Sequence, residues 1–158
     1  MLAQELYDTA PLGSLVRFSN GEPRPPERFT RKLRAWNNHN GVGRLVERSP
    51  GFVTNTYRSS ATFYLHLGNF GSEGTIVLVV RRGYCVDSSL QFELVETPKP
   101  GMVRILTPIG NHEELQFLAR DTTDAENWLA THRFPNARTE IVGDPDPVVL
   151  PSITGRAA

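Results

Sequence analysis

The chain predicts an α+β domain: an antiparallel-dominated sheet or partly open barrel of about 7–8 strands with two helices. Short alternating or β-branched runs, separated by Gly, Pro and Asn turns, fill most of residues 13–142, whereas only two segments carry a helical repeat. At 158 residues, with 39% hydrophobic and 22% charged residues, the chain suits one folded unit that needs neither metal nor disulfide to hold its core. The expected division is a single domain over residues 1–142 and an extended, Pro-rich tail over 143–158, with no internal repeat.

Leu2 to Pro11 shows no clear period and predicts coil or a short edge strand. Gly13 to Ser19 predicts a strand, closed by the turn dipeptide Asn20-Gly21. Pro23-Arg24-Pro25-Pro26 stiffens the chain and opens a helix from about Pro26 to Asn38, since proline is tolerated in a first turn. Phe29, Leu33 and Trp36 fall at i, i+4 and i+7, an apolar stripe that docks the helix on the sheet. Arg28, Arg31, Lys32 and Arg34 then face solvent from its sides and back. Glu27 precedes Arg31 by four residues, the favourable order for a helix ion pair. Asn40-Gly41 is expected to end the helix in left-handed backbone.

The remainder is strand-rich. Arg44 to Arg48 predicts a short strand and Ser49 to Ser60 a polar loop. Ala61 to Leu67 alternates, with Phe63 and Leu65 on one face and Tyr64 and His66 on the other. Gly68 to Gly74 is a glycine-rich turn. The β-branched run Thr75 to Val80 is the candidate central strand, buried on both faces. Leu90 to Glu96 alternates again, Met102 to Thr107 follows a Pro-Gly turn, and Glu114 to Ala119 favours strand over helix. Thr123-Asp124-Ala125-Glu126 matches a capping box, and Ala125, Trp128, Leu129 and His132 continue it as the second helix, closed by Pro135. Ala137 to Val142 predicts the last strand.

Charge is where the chain departs from an ordinary globule. Lys and Arg total 17 and Asp and Glu 17, yet residues 17–58 hold nine basic residues against three acids. All the basic residues except Lys32 and Lys99 are arginines, whose planar donors suit carboxylate and phosphate. A local field of this sign steers an acidic partner even at zero net charge. The expected contact surface is Arg24, Arg28, Arg31, Lys32 and Arg34, with Arg44 and Arg48 after the helix.

No catalytic constellation is recognisable. His39, His66, His112 and His132 show no metal-ligand spacing. His112-Glu113-Glu114 is best read as a solvated loop, His66 as a surface cross-strand residue, and His132 as a last-turn residue favoured by the helix dipole. Cys85 is the one cysteine, so no internal disulfide forms, and Asp87 beside it would raise rather than lower a thiol pKa. The glycine-rich turn lacks the Lys and the following helix of a phosphate cradle. A non-enzymatic protein with no metal, cofactor or catalytic residue is expected. No apolar run reaches membrane-spanning length, and the residues after Met1 lack a signal-peptide pattern, so a cytoplasmic setting is expected.

Leu15 to Phe29 leading into the Trp36 helix and Gly43-Arg44-Leu45-Val46, followed by Leu65-His66-Leu67-Gly68 and Phe70-Gly71-Ser72-Glu73-Gly74, resembles small uncharacterised accessory proteins of bacterial plasmids and integrative conjugative elements. The resemblance implies a mobile-genetic-element context, in which such proteins are transcriptional regulators or inhibitors of host defences. The expected function is inhibition of a host defence complex, of the anti-CRISPR or antirestriction type, by protein–protein contact through the basic helix. The alternative is a nucleic-acid-binding transcriptional regulator using the same face, for which Asn37, Asn38 and Asn40 could read bases; a small hydrolase is a third, weaker reading. The expected partner is a host protein or ribonucleoprotein complex, with no membrane contact.

Overall fold

The computed structural model describes residues 1–70 and 78–143. Gly71 to Val77, which carry most of the glycine-rich turn and the first half of the Thr75–Val80 run, lie outside the described residues, as does the tail from Asp144 onward.

The first element is a helix, α1 (Ala3–Thr9), where coil or strand is expected. Ala3, Leu6, Tyr7 and Ala10 recur at i, i+3, i+4 and i+7, and Ala3, Leu6 and Ala10 are buried. Small alanines make this apolar face narrow, but the main core packs against it. Gly13, at φ +97, then turns the chain into β1 (Leu15–Ser19), whose Val16 and Phe18 point inward.

Helix α2 (Thr30–His39) begins four residues later than its prolines suggest. Phe29 N–H donates to the Pro26 carbonyl at 3.0 Å, so Pro26 to Phe29 form a turn rather than helix. No left-handed cap ends it. Asn40 is extended at φ −143, and Gly41 already opens β2 (Gly41–Ser49) opposite Phe18. A Cβ at Gly41 would lie 3.0 Å from the Phe18 ring, so the glycine admits an aromatic neighbour rather than a turn.

A two-stranded hairpin, β3 (Phe52–Val53) and β4 (Arg58–Ser59), interrupts the expected polar loop. Then come β5 (Thr62–Phe70), β6 (Leu78–Cys85), β7 (Gln91–Glu96), β8 (Val103–Ile109) and β9 (His112–Ala119). Helix α3 (Thr122–Thr131) and β10 (Arg138–Ile141) complete the chain. The α3 cap lies two residues before the expected box: Asp121 accepts from Asp124 N–H at 2.8 Å, and the Asp124 carboxylate accepts from Arg120 N–H at 2.9 Å.

Among the described residues the fold is α+β, with three helices and eight strands in one sheet whose pairings are all antiparallel. The sheet stays open rather than closing into a barrel. Its centre is β2; β6, which holds Leu78 to Val80 of the run expected to be central, pairs among the described residues with β5 alone. Arg44 stands opposite both Leu15 of β1 and His66 of β5, while Glu47 stands opposite both Tyr64 of β5 and Glu114 of β9. A strand has two edges, so β1 and β9 share one edge of β2, with a bulge between Leu45 and Glu47.

That shared edge divides the core. The main cluster joins α1 to β1, β2, β5, β6 and β7 around Phe18, Phe63, Tyr84 and Phe92, with ring centroids 5.2–5.8 Å apart. A second, around Val103, Ile105 and Ala125, joins β8, β9 and α3. Val46, Leu106 and Leu115 bridge the two at the seam.

Candidate interaction surface

Helix α2 is fixed to the sheet at its C-terminal end. Asn40 is buried; its Nδ2 donates to Asn20 Oδ1 and to the Trp36 carbonyl, both at 2.9 Å, and its Oδ1 accepts from Asn20 N–H at 3.3 Å. Arg82 Nη1 reaches from β6 to the Asn38 carbonyl at 2.6 Å, satisfying a carbonyl that the helix end leaves open. Trp36 Nε1 donates to the Glu22 carbonyl at 2.8 Å, tying the preceding loop to the helix.

The rest of α2 is far less covered than its apolar stripe suggests. None of its residues is buried; Leu33 and Trp36 are half-buried, and Phe29 at its start is 40% exposed. The docked stripe is therefore corrected to a helix anchored at one end, with an aromatic ring presented to solvent.

The basic residues around that ring differ in what they touch. Arg28 lies over the Phe29 ring at 4.8 Å and Lys32 at 5.1 Å. Arg24 stands 3.7 Å from Glu27; this replaces the expected Glu27–Arg31 pair, because Glu27 precedes the helix. Arg31 and Arg34 are exposed, and among the described residues no carboxylate or carbonyl pairs with either. Arg44 and Arg48 do not join this cluster. Half-buried on β2, Arg44 Nη1 donates to the Gly13 carbonyl at 2.5 Å and Arg48 Nη1 to the Tyr7 carbonyl at 3.2 Å. Both hold the α1–β1 segment against the sheet.

A second concentration of charge, not anticipated from the sequence, sits at the seam. The Glu47 side chain is 5% exposed; it accepts from or pairs with His112 Nε2 at 2.6 Å and pairs with the Arg81 guanidinium. Arg81 also pairs with Glu114 at 2.7 Å and lies 4.5 Å from the Tyr64 ring centre. His112 is thus a half-buried member of an ionic cluster, not a loop residue. Spacing offered no sign of it, because the four residues come from β2, β6 and β9. On the second half of the sheet, Arg138 forms a two-pronged pair with Glu113 at 2.5 and 2.6 Å and reaches Glu140 at 3.1 Å. The Arg138 guanidinium holds the Glu113 carboxyl below its usual range.

Beside α3, Phe117, Trp128 and His132 stack nearly parallel, with centroids 5.3 and 4.0 Å apart. His132 Nδ1 lies 2.9 Å from the Trp128 carbonyl at the end of α3. The i, i+4 spacing of Trp128 and His132 was legible; Phe117 arrives from another strand. Among the described residues no cluster of three His, Cys, Asp or Glu is arranged to hold a metal ion, and no helix is long and apolar enough to cross a membrane.

A family model matches residues 1–146, spanning α1 to β10 and every group described above. The chain belongs to the family described as uncharacterised conserved protein UCP036055. The match covers the basic helix, the seam and the aromatic stack together. No curated protein and no solved structure matches the chain.

Proposed function

We propose that this family member is a non-enzymatic binding protein whose contact surface is α2 with the turn before it, and whose partner is an acidic protein surface. The observation that carries the reading is Phe29: an exposed ring beneath Arg28 and Lys32, beside Arg31 and Arg34, which pair with no carboxylate among the described residues. Aromatic and arginine side chains are the usual anchors of protein interfaces, whereas a phosphate backbone asks only for the charges. Arg24 and Glu27 form the rim; Arg44 and Arg48 support the scaffold from behind.

The helix itself supports an anionic partner. Its first turn carries Arg31 and Lys32 and no acidic residue, the wrong sign for the positive end of a helix dipole. A carboxylate from a partner would relieve that repulsion, so binding would also stabilise α2. In the mobile-element setting implied by the resemblance, the partner is a component of a host defence complex, and occupying its acidic surface inhibits it.

The test compares the wild-type chain with the combined variant Arg28→Glu, Arg31→Glu and Arg34→Glu in affinity purification from a bacterial host. All three positions are exposed, so circular dichroism should show both proteins folded. The expected result is a discrete protein partner that survives nuclease treatment with the wild type and is lost with the variant. Retention by the variant rules α2 out as the contact surface. Recovery that disappears with nuclease, with duplex affinity falling steeply in salt, would make the surface a nucleic-acid site instead.

A further inference from the structure

The α2 reading leaves a groove of about 810 Å³ unaccounted for, lying between the central strand and α3. Val46 and Leu115, both buried at the seam, contribute apolar surface to it. The stacked Phe117 and Trp128 line it from β9 and α3. Arg44 enters from β2 and Arg120 from the turn before α3. Arg44 is held by its bond to the Gly13 carbonyl and keeps further guanidinium N–H groups to offer. Arg120 is 86% exposed and stands 3.6 Å from Asp124. Among the described residues that line the groove there is no Asp or Glu.

We infer that this groove binds a small amphipathic anion: a planar apolar body carrying one acidic group. The volume lies within the range of sites that enclose small molecules. Burial against Leu115, Phe117 and Trp128 supplies the hydrophobic part of the binding. The charge supplies the selectivity, because two guanidinium groups with no lining carboxylate repel a cation and reward an anion. The site uses no residue of α2, so it stands or falls independently of the proposed partner surface.

The probe is the aromatic sulfonate ANS, with the uncharged N-phenylnaphthylamine as its counterpart. The chain has two tryptophans, so in a Trp36→Phe background intrinsic emission reports Trp128 alone. ANS should bind saturably with one-to-one stoichiometry and change Trp128 emission, and the neutral probe should bind about tenfold more weakly, as expected for one lost charge-assisted contact. Arg120→Glu should weaken ANS binding by about the same factor. A second variant, Gln116→Glu, is isosteric, can accept from the Thr107 hydroxyl that Gln116 now meets at 2.9 Å, and places a carboxylate in the groove; it should give a similar loss. The Arg31→Glu and Arg34→Glu changes should leave ANS binding unaltered. Non-saturating binding, equal affinity for the two probes, or indifference to both groove variants would overturn the inference.

Discussion

The Tyr84 hydroxyl is buried among the rings of the main core, and among the described residues no group meets it with hydrogen-bond geometry. Burial pushes its phenol up from the ordinary value, against the smaller opposing pull of Arg82. Because the folded pKa is raised, the neutral form is the one folding favours. That contribution is complete below the ordinary tyrosine range and is lost as pH rises through it, when the unfolded chain ionises first. Tyr84 should therefore ionise above the ordinary tyrosine range in an alkaline absorbance titration, together with unfolding. Tyr84→Phe keeps the ring and removes the stranded hydroxyl, so it should stabilise the protein by about 1 kcal/mol, measured by urea denaturation. A loss of stability would show that the hydroxyl is satisfied. Glu113 behaves oppositely. Its lowered pKa means that its pairing with Arg138 is present above the ordinary carboxylate range and weakens as pH falls through it; the exposure of Arg138 keeps this effect small.

At the level of elements, α2 is the one most altered by being seen in three dimensions. A fully buried Trp36 would cost about 3–5 kcal/mol on truncation, but the ring is half-buried on a one-end-anchored helix. Trp36→Ala should cost about 1–2 kcal/mol globally, while amide exchange in α2 accelerates much more than in β5 or β7; a loss near the fully buried value would place the helix inside the cooperative core. What could be read in advance follows from this difference in packing. Strands β5 and β7 bury one face each, so Phe63, Leu65 and Phe92 announce themselves by alternation. Helix α1 is hidden because alanine supplies two of its four apolar positions, and β2 reads only as the short run Arg44–Arg48 because Gly41, Gly43 and the bulge at Val46 break the alternating pattern of the central strand. The basic side of α2 was legible since its charges are close in sequence. Arg44 and Arg48 were misplaced with it because their acceptors, Gly13 and Tyr7, come from earlier segments.

For the molecule as a whole, the decisive place is where β2 exchanges β1 for β9. The two parts of the sheet meet there at a single described backbone pair, Glu47 opposite Glu114. Like charges facing each other across strands repel, and Glu47 is almost completely removed from water. One guanidinium, Arg81, answers both carboxylates, while His112 holds the second oxygen of Glu47. Removing Arg81 leaves the buried Glu47 carboxylate opposed by the half-buried Glu114, so Arg81→Ala should destabilise the chain by about 3–5 kcal/mol. For a protein of this size that corresponds to roughly 2–4 °C in melting temperature for each kcal/mol. The loss should be focused on the seam: amides of β9 and of β2 after Val46 should exchange earlier than those of β5 and β7. Adding Glu114→Gln to Arg81→Ala removes the facing charge and should restore part of the stability, giving a double-mutant cycle with a clear coupling. Additive effects would mean that Arg81 acts through Glu47 and Tyr64 rather than by offsetting the charge of Glu114.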